Sequence, residues 1–390
     1  MVSMHLGETA PWLTGAGPRA GVAICSQCSL LRNVAGFAFP ESCRDDESRS
    51  VEEGIVGVLN SGPPFEADRY YRMAELAPEE ALMLAERRAI PVNALGHDSR
   101  GGVYVSADQS FSIAVNGWDH LCMTVSGPGL GVQGLWRRLN ELDDALANQL
   151  DYAFDASLGY LTTSLRHVGT GLKASVLLHL PCLGLANRLS AMAQMAQERR
   201  QVLFGVRPAV EAAAALAVPV GRSAGEKHEA MPRGVRGGEA LYYDLTETLY
   251  GDVTEAWGDL YVLTNGATLG VSEQEIVFHL HGTAAEIVDR ETQARATLVA
   301  EEPRLLEDRV ARALAIAGST RLLGFGEAME LLSSVRLAVS AGLGHRHTLP
   351  QLDQLLMSSQ SAHLRAMLGR ECDEGELSEA RADLFRARFG

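Results

Sequence analysis

Apolar positions recur at two different periods along this chain, and the change from one to the other marks its organisation. Residues 101–116, GGVYVSADQSFSIAVN, alternate around a turn-like Ala-Asp-Gln-Ser and predict a β-hairpin. ASVLLHLP, 174–181, predicts a strand stopped by proline, and DLYVLTNGATLG a strand running into a turn. Helical spacing governs FEADRYYRMAELAPEEALMLAERRA, from about 64 to 88, where two helices are expected, one with Pro78 and two glutamates in its first turn. LWRRLNELDDALANQLDYAF, 135–154, predicts a long amphipathic helix, and ANRLSAMAQMAQERRQVLFGV another. Past about 285 the strand signals end, and ETQARATLVAEEPRLLEDRVARALAIAGST, FGEAMELLSSVRLAVSAGL, LPQLDQLLMSSQ and ELSEARADLFRARF are successive helical patterns. Strands and helices mix without a regular repeat, so the expected class is α+β, with strands and helices mixed over 11–285 and a helical part over 286–390.

Composition narrows the setting. The chain has 390 residues, 46% apolar and 21% charged, enough to bury a large core. Six cysteines without a secretory segment, and no run of about 18 apolar residues, point to a cytoplasmic protein. The formal charge of -15 argues against nucleic acid and anionic membrane as partners, although a local basic patch can still take an anion. VPVGRSAGEKHEAMPRGVRGGEA, between roughly 218 and 240, reads as a mobile surface loop, either a ligand cover or a tolerated insertion.

Candidate chemistry is sparse. Cys25 and Cys28 stand at the C-x-x-C interval, but no second pair at zinc spacing exists in the chain and no active-site turn surrounds them, so two buried small residues are the plainer expectation. Asp119 and His120 can be a base and its orienter, yet neighbours on a strand point to opposite faces. His179, His279 and His281 lie in apolar runs and read as near-core histidines. HVGTGLKAS, 167–175, gathers small residues and a lysine in a turn whose backbone N–H groups can cradle an anion.

Several stretches together resemble the ATP:guanido phosphotransferases, and within them the bacterial protein-arginine kinases: GPRAGVAICSQCSLLRN, VYVSADQSFSIAVNGWDHL, ANQLDYAFDASLGYLTTSLRHVGTGLKASVLLHLP, LYGDVTEAWGDLYVLTNGATLGVSEQEI and SSQSAHL. Their order is kept over most of residues 11–390. The resemblance implies a catalytic domain of antiparallel sheet and flanking helices, then a helical domain that helps recognise phosphorylated arginine. It also implies a site. Where the family reads S-S-R-x-R-L-A-R-N, with two phosphate-binding arginines, this chain has Gln27 and Ser29, and keeps Arg32 and Asn33. The family's N-E-E-D-H-L-R becomes Asn116 to Cys122, with Trp118 in place of the glutamate that holds the guanidinium and Cys122 in place of an arginine. Lys173 replaces the arginine of G-T-G-L-R-A-S, Glu247 that of R-G-L-Y-G-E-G-T-E-A, and Ser164 the reactive cysteine. The R-D-x-x-R-A motif linked to phosphoarginine sensing survives as Arg381 and Ala382.

Phosphoryl transfer asks a protein for positioning and for positive charge over the phosphate oxygens. Each charge-assisted hydrogen bond contributes about 1.5–3 kcal/mol, so neutral or acidic residues at Gln27, Ser29, Cys122 and Glu247 imply a deficit above about 6 kcal/mol. The expected function is therefore a pseudoenzyme that binds arginine, phosphoarginine or a protein partner, with no cofactor and with oligomeric state, a dimer included, left open. The alternative is an active ATP-dependent protein-arginine kinase using ATP with Mg2+, its charge restored by Arg222, Arg233 or Arg236 of the 218–240 loop. An altered chemistry around Asp119, His120 and Glu255 is a third possibility. A nucleotide cleft needs a basic patch from Arg32, Arg166, Lys173 and loop arginines; a closed one should pack Trp118 against apolar neighbours.

Overall fold

A computed structural model describes residues 10–67, 69–91, 101–206, 253, 256–343 and 346–390. Its centre is an eight-stranded sheet in the order β2-β3-β4-β5-β1-β8-β10-β9, with every pairing antiparallel. The strands are β1 (Ala23–Arg32), β2 (Tyr70–Arg72), β3 (Gly102–Val105), β4 (Phe111–Val115), β5 (Leu121–Pro128), β8 (Leu172–His179), β9 (Gln201–Gly205) and β10 (Leu260–Asn265). A small hairpin, β6 (Phe154–Asp155) and β7 (Gly159–Tyr160), stands apart. The hairpin expected at 101–116 is β3–β4, and the proline-stopped strand is β8.

One face of the sheet carries the main core. Cys28 and Leu30 of β1 pack there with α1 (Asp45–Leu59), α3 (Val132–Ala147), α5 (Leu189–Glu198) and α6 (Glu273–Glu301). Side chains alternate along a strand, so the neighbours of these residues face the other way. That opposite face is covered at its two ends. At the β2–β4 end, α2 (Pro78–Glu86) packs its leucines against Val103, Val105 and Ala114. At the β10 end, Leu177, Leu260 and Val262 meet α7 (Pro303–Ser319), α8 (Phe325–Ser340), α9 (Leu349–Ser358) and α11 (Glu374–Phe389). Between α9 and α11 lies α10 (Ser361–Leu368), and the short α4 (Pro181–Leu185) follows β8.

Three expectations change. Among the described residues of 64–88 one α-helix forms, after a single 3-10 turn at Met73–Glu75, because Tyr70–Arg72 pairs with β3 as an edge strand, Tyr70 opposite Tyr104, and an aromatic cross-strand pair outweighs helical spacing in so short a run. The helix over ANRLSAMAQMAQERRQVLFGV ends at Glu198, since Gln201–Gly205 completes the open edge of β10. α3 ends at Ala147 rather than 154, giving way to the β6–β7 hairpin. The division expected at 285/286 falls inside α6, which begins at a Ser272 capping box and runs to Glu301. Arg222, Arg233, Arg236, Glu247 and Glu255 lie outside the described residues.

Candidate functional site

Strand register assembles a polar strip between the two covered ends. Ser29 stands opposite Thr124 on β5 and Lys173 on β8, while Gln27 stands opposite Ser126 and Ser175. Ser112 extends the first row on β4, and Thr264 extends the second on β10. Cys122 lies one step along, opposite Leu31. Gln27, Ser29, Cys122 and Lys173 therefore share one face, as four neighbouring positions of a single site must. The hydroxyls of Ser29 and Thr124 are 2.9 Å apart, and the Cys122 thiol is 3.9 Å from Thr124. Among the described strand positions of this face, Lys173 alone carries a charge.

Arg32 is not part of the strip. It is an odd number of residues from Gln27 and Ser29, so its side chain emerges on the core face. There its guanidinium donates to Asp143 of α3 at 2.8 Å and to the carbonyls of Leu31 and Thr170, and lies 3.5 Å from the centre of the Tyr160 ring. The expected nucleotide contact is a buried structural ion pair. The basic patch loses Arg32, and Arg166 is an exposed residue of the loop before β8.

Asn33 organises the mouth of the strip. Its amide donates to Asp119 at 2.6 Å and to the Leu161 carbonyl at 3.1 Å, and its oxygen accepts from the His120 backbone N–H at 2.9 Å. Asp119 also accepts from the Thr163 N–H at 2.7 Å, and the Thr163 hydroxyl donates to the Trp118 carbonyl at 2.6 Å. Burial pushes the Asp119 carboxyl above its ordinary range, while these hydrogen bonds and the Lys173 charge pull the other way. His120 Nδ1 accepts from the Val34 N–H at 3.0 Å, and burial lowers the ring to about 4. The pair is no base and orienter: each side chain ties a different backbone segment to the turn. Trp118 and Ser164 are half-buried on this mouth, and Trp118 belongs to none of the apolar clusters formed by the described residues.

In the turn at 167–172, the backbone donors from Gly169 to Leu172 are already taken. The N–H groups of Gly169, Thr170 and Gly171 donate to the carbonyls of Tyr160, Thr268 and His167, and that of Leu172 to the Thr170 hydroxyl. The donors are consumed in closing the turn on its neighbours. Gly169 sits at φ +116, where an added Cβ would lie 2.3 Å from the Thr268 oxygen. Cys25 and Cys28 are buried and unbridged, on opposite faces of β1. His179 is fully buried, whereas His279 is exposed and His281 half-buried on α6. Arg381 is also fully buried: it donates to the carbonyls of Ser359 and Leu323, which makes it a clamp within the helical part.

Sequence reasoning missed the segment after α2. Gln27 Nε2 donates to the Arg88 carbonyl at 3.4 Å, Ser112 to the Ala89 carbonyl, and Trp12 Nε1 to the Arg87 carbonyl at 2.9 Å. Arg88 donates to Cys25 Sγ at 2.8 Å. The run Glu86-Arg87-Arg88 at the end of a helical pattern was the available signal, since charge at such a place otherwise faces water.

Sheet order and flanking helices define a guanido kinase fold. The solved structures it is similar to include one described as "Crystal Structure of Lombricine Kinase", with TM-score 0.52 and 21% identity over 74% of this chain and 71% of that one. Another is the substrate-free duplicated taurocyamine kinase from Schistosoma mansoni, with TM-score 0.51 and 17% identity over 83% of this chain and 41% of that one. Residues 50–215 match the family described as "ATP:guanido phosphotransferase, C-terminal catalytic domain", and residues 303–390 the "Protein-arginine kinase McsB C-terminal domain". Relatives named "Protein-arginine kinase" include those of Symbiobacterium thermophilum, 33% identical over 97% of this chain and 96% of the relative, and Moorella thermoacetica, 32% identical over 99% of each. The chain belongs to the ATP:guanido phosphotransferase family, and its similarity extends through the helical part characteristic of the protein-arginine kinases.

Proposed function

We propose that this chain is a degenerate guanido phosphotransferase that works as a binding or regulatory module, taking arginine, phosphoarginine or a protein partner without transferring phosphate. The observation that carries this reading is the composition of the strip: Gln27, Ser29 and Cys122 are uncharged, Lys173 is the single cation among the described strand positions of this face, and Arg32 is spent on Asp143 on the other. Such a surface fits magnesium triphosphate poorly. An ammonium also lacks the bidentate fork with which arginine holds phosphate. The mouth suits a guanidinium better. Half-buried Trp118, the residue before Asp119, would give a cation an aromatic face worth about 0.5–2 kcal/mol. A cytoplasmic setting, without nucleic acid or membrane, is part of the same proposal and rests on the charge of -15.

A second reading is favoured by the relatives' printed name, protein-arginine kinase, at 33% identity across nearly the whole chain. It keeps the transfer reaction and assigns the lost charge to Arg222, Arg233 or Arg236. Calorimetric titration with Mg-ATP, L-arginine and phosphoarginine, combined with mass-spectrometric detection of arginine phosphorylation, separates the two. The binding-module reading expects a Mg-ATP Kd above about 1 mM, weaker than about 4 kcal/mol of binding, and no phosphoarginine formed. Micromolar Mg-ATP affinity with product formation would overturn it.

A further inference from the structure

The polar strip has a wall that the helical part holds in place. Glu86, the last residue of α2, is 1% exposed, and its carboxylate is bound by the start of α10: it accepts from the Ala362 N–H at 2.7 Å and the His363 N–H at 3.2 Å. A helix N-terminus presents its unsatisfied N–H groups and the positive end of its dipole, which is what a buried carboxylate requires. His363 adds a third bond, Nδ1 to Glu86 at 2.6 Å, and its Nε2 accepts from Arg87 Nε at 3.1 Å. That pattern assigns the ring the neutral tautomer with its proton on Nδ1. Arg87 then reaches Gln109 in the β3–β4 turn at 2.7 Å.

The next two residues touch the strip. Arg88 takes a left-handed φ of +60, turning the chain so that its carbonyl meets Gln27 and the Ala89 carbonyl meets Ser112. Ala89, Ile90, Cys122 and Ala362 join one apolar cluster, so the start of α10 and the strip thiol pack around the same segment. We infer that α10 is a structural component of the cleft: its N-terminus, through Glu86 and His363, positions the Arg88–Ala89 backbone against Gln27 and Ser112. Glu86 and His363 are then positioning residues for the ligand. The ligand part of this inference rests on the strip being a binding site.

Cys122 reports on the wall. Cys122 and Cys372 are partly exposed thiols, Cys122 in the same apolar cluster as Ala89, while Cys25, Cys28, Cys43 and Cys182 are buried. In the full-length chain carrying Cys372→Ser, the rate of Cys122 alkylation by iodoacetamide is measured for Glu86→Ala and His363→Ala, with near-ultraviolet circular dichroism to verify the native fold. Losing charge-assisted bonds to a buried carboxylate raises local opening, so Cys122 should react about ten- to a hundredfold faster in Glu86→Ala, and less than that in His363→Ala, which keeps both helix N–H bonds. An unchanged rate in natively folded variants overturns the inference. Where Glu86→Ala does not fold, Glu86→Gln, which keeps one acceptor, replaces it with the same expectation in sign. Phosphoarginine titration of the same proteins tests positioning itself: its Kd should weaken in the order of the alkylation rates, and equal affinity despite faster alkylation overturns that role. If the parent binds no phosphoarginine, the site reading fails by that result alone, and the alkylation rates still decide whether α10 holds the wall.

Discussion

Arg32 and Lys173 carry the same charge on adjacent strands and have different roles. Arg32 is 1% exposed and locked to Asp143, so Arg32→Ala leaves a carboxylate buried without its partner and should cost about 3–5 kcal/mol in urea unfolding. Lys173 is half-buried on the strip. Lys173→Ala should stay within about 1 kcal/mol of the parent in the same measurement while abolishing any calorimetric response to phosphoarginine. His120 gives a pH signature. Burial holds its folded pKa at about 4, against about 6.5 when unfolded. Between those values the unfolded chain binds the proton and the folded chain does not, so stability is fully present above about pH 6.5 and is lost as pH falls through 4. The full effect is about 3 kcal/mol. Histidine-resolved NMR should show the His120 ring titrating near 4, and a midpoint near 6.5 would contradict the assignment.

At the scale of elements, Arg32 parts from Gln27 and Ser29 only once CSQCSLLRN is a strand, whose side chains take alternate faces. Family resemblance grouped the three because a motif records order, not facing. The turn HVGTGLKAS was legible as a turn but not as a closed one, since its donors are taken by Tyr160, His167 and Thr268, one acceptor within the turn and one far along the chain. Gly169 makes that closure possible. Gly169→Ala combines a positive φ with a clash against the Thr268 oxygen and should lose well over about 1 kcal/mol, with β8 and the Ser164 loop showing increased amide exchange. Short strands at sheet edges were the elements that periodicity missed. Tyr70–Arg72 and Gln201–Gly205 are strands because β3 and β10 offered unpaired edges, a condition set elsewhere in the chain.

At the scale of the molecule, a buried polar seam joins the sheet to the C-terminal helices. Glu291 of α6 accepts from the N–H groups of Cys182 and Leu183 and pairs with Arg295 at 2.7 Å. Arg295 in turn donates to the Gly21 carbonyl, to Ser340 of α8 and to the His179 carbonyl at the end of β8. Next to it, Arg336 pairs with Asp353 and donates to the Ala20 carbonyl. Both pairs are almost fully buried, so each is costly to break. Glu291→Ala should destabilise by about 3–5 kcal/mol, and because the seam and one apolar core span both parts, calorimetry should still record a single transition. The family comparison treats residues 50–215 and 303–390 as two matches, whereas the packing treats sheet and helices as one body.

Periodicity and turn chemistry in the sequence determined the α+β class, the hairpin at 101–116 and the helical run after 285, and resemblance singled out Gln27, Ser29, Cys122 and Lys173, of which only the lysine is charged. These depend on residues close in the chain or on ordered motifs, and both survive in a linear text. Tertiary structure alone decided that Arg32 is a core ion pair, that Asp119 and His120 anchor a loop instead of sharing a proton, and that Glu86 ties α10 to the wall of the strip. Each of those outcomes turns on which face a side chain takes and which distant donor reaches it, and a buried charge settles on whatever partner the packed fold brings within hydrogen-bond distance.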